Sequence, residues 1–136
     1  MAPKPPTLVD LAWQHDLVFD ASSGTQRLTL DGDSAAGVSP VQTLAMSVAG
    51  CMAMDVAAIL AKGRHPLRAM RAHLQADRAP QHPHRLLTIS LNFIIEGNVP
   101  SDAVARAIML SRDTYCSVWH SMRTDIEFTT NFEVLP

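Results

Sequence analysis

Cysteine is nearly missing from this chain, at 2 of 136 residues. Two thiols do not make a disulfide scaffold, and a domain of this length buries enough of its surface to need no staples. Charge of one sign is missing too: 11 Lys and Arg stand against 13 Asp and Glu, for a formal net charge of -2. A general nucleic-acid binder carries a strong basic excess, so that class is excluded. No Gly-x-Gly-x-x-Gly and no Walker loop occurs, so the usual backbone cradle for nucleotide phosphates is lacking. The segment Met1-Ala2-Pro3-Lys4-Pro5-Pro6 has no apolar h-region and does not read as a secretory signal. The expectation is a single cytoplasmic domain over residues 1–136, with residues 1–8 a flexible proline-rich tail.

What the chain does have is apolar surface, with 47% hydrophobic and 18% charged residues. Much of it lies in one run from Val41 to Ala61, long enough to raise the question of a membrane span. Asp55 would sit near mid-bilayer, where a charge is costly, and Pro40 and Gly63 bracket the run tightly. A buried core helix is expected instead, with no membrane partner. Ser39, Pro40 and Gln42 supply an N-cap, an N1 proline and a capping box, while Lys62, Gly63 and Pro66 punctuate the other end. No charge falls between Pro40 and Met54, so this helix must be covered on nearly all sides.

Around it the periodicity changes. Trp13, His15, Leu17 and Phe19 alternate with polar neighbours, which predicts one strand over 12–19; Thr25–Leu30 follows Ser22-Ser23-Gly24 as its hairpin partner. Met70–Ala76 and Leu87–Ile95 alternate as a second antiparallel pair, separated by the polar loop 79–84. A helix is expected from Ser101, then a shorter one carrying Tyr115, Val118, Trp119 and Met122, then a last strand from Ile126 to Val134. The order is ββ-α-ββ-αα-β, an α+β domain.

Few residues suggest chemistry. His82-Pro83-His84 is either a solvated loop or a surface metal clip, and Lys62, Arg64, His65, Arg68 and Arg71 are either a solvated stretch or a patch for an anion. Cys51 lies within the uncharged helix and reads as a small core hydrophobe, inert if no cation is near. Ala49 and Gly50 just before it would let another group approach closely, and Cys116 also sits among apolar residues. Two thiols in such surroundings suit chemistry on a hydrophobic oxidant, one attacking and one resolving. Asp55, one turn after Cys51, would pair with a cation or cap a buried polar group; His120 would face solvent or help ionise Cys116.

The run Ser39-Pro40-Val41-Gln42-Thr43-Leu44-Ala45-Met46-Ser47-Val48-Ala49-Gly50-Cys51, continuing Met54-Asp55-Val56, resembles the central helix of the OsmC/Ohr family. Arg106–Ser111 and Thr114-Tyr115-Cys116-Ser117-Val118 resemble its second cysteine motif, and Phe93-Ile94-Ile95-Glu96-Gly97 matches between them. The likeness runs from about Trp13 onward and points to the general OsmC-like branch. It implies an OsmC-like fold in an intertwined homodimer, with active sites at the subunit interface and organic hydroperoxides as substrates. Cys51 would be the peroxidatic thiolate and Cys116 the resolving thiol. A dithiol, either a lipoylated or a thioredoxin-like protein, would be the reductant, with no cofactor and no metal. The hydroperoxide enzymes of the family place a carboxylate just after the opening proline to hold a catalytic arginine; here that position is Val41. Gln42 beside it either binds substrate or caps the helix, and Arg27, the only arginine before residue 64, either binds substrate or is a solvated strand residue. The alternatives are a binding or structural protein on this fold that holds a hydrophobic small molecule, and a metal site formed by His82, His84 and a cysteine.

Overall fold

The computed structural model describes residues 2–136. It divides after Leu44 into two compact units. The first is an antiparallel meander of β1 (Asp10–His15), β2 (Val18–Ser23) and β3 (Gln26–Asp31), in that spatial order. The strand expected over 12–19 is therefore two strands with a turn between them. The alternation hid the turn because Trp13 pairs with Phe19 and Ala12 with Asp20, partners an even number of residues apart. Directly paired residues share a sheet face, so an even offset carries the period-2 pattern straight through a reversal. Asp16 makes the turn at φ 46, a left-handed conformation that Asp tolerates, and Trp13 Nε1 donates to its carbonyl at 2.8 Å.

Asp31 ends β3 and organises the loop beyond it. Its buried carboxylate accepts the backbone N–H groups of Asp33 (2.9 Å), Ala35 (3.1 Å) and Ala36 (2.8 Å). Those donors, Ala36 foremost, hold its pKa below the usual carboxylate range. Its own N–H donates to the Val38 carbonyl at 3.0 Å, which returns the chain to Ser39 and the start of helix α1 (Pro40–Lys62). The capping box forms as its residues require: Gln42 N–H donates to Ser39 Oγ at 3.1 Å, and Ser39 N–H to Gln42 Oε1 at 2.9 Å.

In the second unit α1 buries one stripe, Val48, Met52, Val56 and Leu60, at the i, i+4 spacing of a helix face. The cover expected on nearly all sides is not supplied by this chain, because Met46 is 57% and Met54 73% exposed. At the helix end it is Arg64, at φ 58, and not Gly63 that takes the left-handed conformation. A Cβ at Gly63 would lie 2.8 Å from the His65 ring, so a larger residue there would displace that side chain.

The core sheet belongs to this second unit. β4 (Leu67–Arg78) and β5 (Leu86–Gly97) pair antiparallel, and β6 (Glu127–Leu135) returns parallel to β5, giving the order β4-β5-β6. Ile89, Leu91, Phe93 and Ile95 of β5 are fully buried, as the alternation requires of one sheet face. Helix α2 (Ser101–Leu110) adds buried Val104, Ala107 and Ile108 to this core. The second short helix differs from expectation. Residues Ser111–Tyr115 form a π-helical turn, Cys116 is extended at φ -72 and ψ 98, and α3 is only Ser117–His120. The molecule is α+β as anticipated, with one strand more and one helix shorter.

Candidate functional site

Both cysteines belong to the second unit, and both are free thiols. Cys51 precedes Met52 of the buried stripe and is half-buried, since one residue on a helix rotates a side chain to the flank of the stripe. Cys116 is fully buried and serves as the N-cap of α3, its Sγ accepting the Trp119 N–H at 3.4 Å. Burial drives the Cys116 pKa up to about 11. The Trp119 N–H pulls it down and the facing Cys51 side chain, within hydrogen-bonding reach, pushes it up. Folding thus brings together two thiols that lie far apart in the sequence. They are inequivalent: at neutral pH Cys116 is a protonated, solvent-excluded thiol, while Cys51 reaches the surface.

The polar groups around the pair have identifiable duties. Asp55 caps a buried polar group, one of the two duties its position suggested: Ser111 Oγ donates to Asp55 Oδ2 at 2.7 Å. Ser111 is fully buried, and its carbonyl accepts the Cys116 N–H at 2.8 Å. His120 is exposed and its Nε2 lies 2.9 Å from the Arg112 carbonyl, which turns it to the surface. Arg112 donates to the Phe128 carbonyl at 2.7 Å and stacks over the Phe128 ring, 5.0 Å from its centroid, while Trp119 packs against the same ring.

Gly50 faces open space: among the described residues a Cβ built there meets nothing within 4 Å. Arg68 of the basic stretch is engaged, donating to the Pro136 carbonyl at 3.0 Å and lying 3.9 Å from Glu96. The His82 and His84 rings sit 4.4 Å apart, but among the described residues no three His, Cys, Asp or Glu side chains gather as metal ligands.

The other two candidates lie in the first unit. Arg27 is exposed on β3, and among the described residues its guanidinium makes no hydrogen bond or ion pair. With Val9, Leu11, Leu28 and Leu30 it lines an apolar cleft of about 310 Å³. Gln42 Oε1 is taken by the capping box and by Ser34 Oγ at 2.7 Å, which leaves its Nε2 hydrogens to donate elsewhere. Ser111 is the residue that reading the sequence missed. It was visible only as a helical position, because its partner is 56 residues away and no local spacing betrays it.

With the geometry established, likeness to other proteins becomes informative. Residues 31–131 match the sequence model of the family described as OsmC-like protein. The chain belongs to the OsmC-like family. Protein YhfA of Escherichia coli K12 is 36% identical over 127 residues, covering 90% of this chain and 94% of YhfA. The crystal structure of a hypothetical protein from Aquifex aeolicus VF5 superposes with a TM-score of 0.90 at 24% identity, covering 96% and 97% of the two chains. An organic hydroperoxide resistance protein OsmC from Legionella pneumophila shares the fold, with a TM-score of 0.72 at 11% identity and coverage of 98% and 100%. This OsmC-like chain thus has its fold in common with a hydroperoxide resistance protein, and its sequence in common with YhfA.

Proposed function

We propose that this OsmC-like protein is a thiol peroxidase that reduces organic hydroperoxides in the reducing cytoplasm. The observation that carries the reading is the facing, inequivalent pair of free thiols, Cys51 half-buried and Cys116 buried. The Cys51 thiolate attacks the terminal peroxide oxygen, forming an S–O bond as the O–O bond breaks, and the alcohol leaves with a proton. The resulting sulfenic acid is attacked by Cys116, whose proton goes with the departing hydroxide as water, and a disulfide remains. A dithiol protein, lipoylated or thioredoxin-like, then restores both thiols and becomes a disulfide itself. The high pKa of Cys116 suits the resolving role, since a protonated buried thiol does not compete for peroxide. Arg27 and Gln42 are assigned to substrate binding, in a site completed by a second copy of the chain, which would also cover Met46 and Met54.

The test is consumption of cumene hydroperoxide with dihydrolipoamide as reductant. Cys51→Ser should reduce turnover to the rate without protein. Cys116→Ser should leave one fast oxidation and a sulfenic acid that dimedone traps. Unchanged consumption by Cys51→Ser sinks the proposal. A second reading, a carrier of hydrophobic small molecules, is favoured by uncharged Val41 and by the apolar cleft of the first unit. Under that reading Cys51→Ser binds a hydrophobic fluorophore as the unaltered chain does, and neither consumes peroxide.

A further inference from the structure

Asp55 is the only acidic residue of α1, and it follows Cys51 by four residues, one helical turn. A carboxylate so placed opposes a neighbouring thiolate, so its presence in an otherwise apolar turn calls for a reason. It makes no ion pair among the described residues. Its partner is Ser111, fully buried and bonded through every polar group it has. The Ser111 N–H is directed at the carbonyls of Ala107 and Ile108, its Oγ donates to Asp55, and its carbonyl accepts from Cys116 N–H. Ser111 also opens the π-helical turn. The extra residue such a turn carries shifts the register, and π turns of this kind accompany functional positions. The chain thereby leaves the track of α2 and delivers Cys116 into the core.

We propose that Asp55 is a positioning residue for the thiol pair. Through Ser111 it pins the π-helical turn to α1, and so holds the Cys116 sulfur against Cys51. It sets the stability of the Cys51–Cys116 disulfide by hydrogen bonding and not by charge. This deepens the peroxidase reading by concerning the same two sulfurs, yet its test needs no peroxide.

The intact protein is equilibrated with mixtures of dithiothreitol and its cyclic disulfide, and free thiols are then counted by alkylation and mass spectrometry. Cys51 opens the cyclic disulfide to a mixed disulfide, and Cys116 displaces dithiothreitol from Cys51. Two electrons pass from the protein to the probe, and the two thiol protons end on it. Asp55→Ala and Ser111→Ala should each make the protein disulfide about tenfold less stable, a shift of about 30 mV. Asp55→Asn, which keeps an oxygen acceptor for Ser111, should stay within about twofold of the unaltered protein. A value for Asp55→Ala within that same twofold overturns the proposal, and so does an Asp55→Asn value as low as that of Asp55→Ala. Should Ser111→Ala fail to fold, the two Asp55 variants decide alone, since Asp55 is only half-buried and alanine is the best helix former. A protein that consumes no hydroperoxide but shows these shifts refutes the peroxidase and leaves the positioning role standing.

Discussion

The molecule contains two three-stranded sheets that differ in almost everything but strand count. In the first, all six residues of β1 are exposed, with Leu11 at 54% and Trp13 at 64%. In the second, β5 buries Ile89, Leu91, Phe93 and Ile95 to 1% exposure or less. The first is held by turns and backbone bonds, above all those converging on Asp31; the second is held by apolar packing between two helices and a sheet. An apolar strand is not of itself a buried strand. Burial needs an opposing layer, and in the second unit the buried faces of α1 and α2 contribute to one.

The difference sets the ranking of substitutions. Phe93→Ala removes the largest fully buried side chain and should cost about 3–5 kcal/mol, read from the urea midpoint. Gly37→Ala comes next. Its Cβ would clash with the Thr29 carbonyl group of β3, and displacing that contact should cost about 1–3 kcal/mol. The two units also answer to pH at opposite ends. Asp31 has a lowered pKa, so its contribution is present above the ordinary carboxylate value of 3.8 and is lost as pH falls through its folded value. Cys116 has a raised pKa. Its unfolded form ionises from about 9 while the folded form resists until about 11, so stability should decline across that window. Thermal melts should therefore show an alkaline decline that Cys116→Ala loses and an acid decline that Asp31→Asn loses; an unaltered profile in either variant removes the corresponding assignment. Trp13→Ser should change the melting behaviour of the isolated chain least, by within about 0.5 kcal/mol, despite deleting an indole. A large loss would show that another molecule already covers the first sheet.

The start of the central helix was legible because its signals are local. Ser39, Pro40 and Gln42 meet within one turn, and their bonds form as the residue types demand. Alternation located β4, β5 and β6 for the same reason, since strand faces arise from neighbours two residues apart. Alternation also concealed the turn at Asp16, where an even pairing offset left the pattern unbroken. The two cysteines stood out by scarcity. Their roles did not, because thiol reactivity depends on burial and neighbours that sequence order does not list.

By itself, then, the sequence determined most of the element types, the capped start of the central helix, the α+β class and the two thiols as the centre of interest. Each rests on propensities and periodicities that act over a few residues. Only the tertiary structure decided that Cys116 is buried where Cys51 is not, that the thiols face each other, and that Ser111 ties Asp55 to the turn before Cys116. Those facts depend on desolvation and on hydrogen bonds between residues more than fifty positions apart. Such interactions come into existence only when the chain has folded.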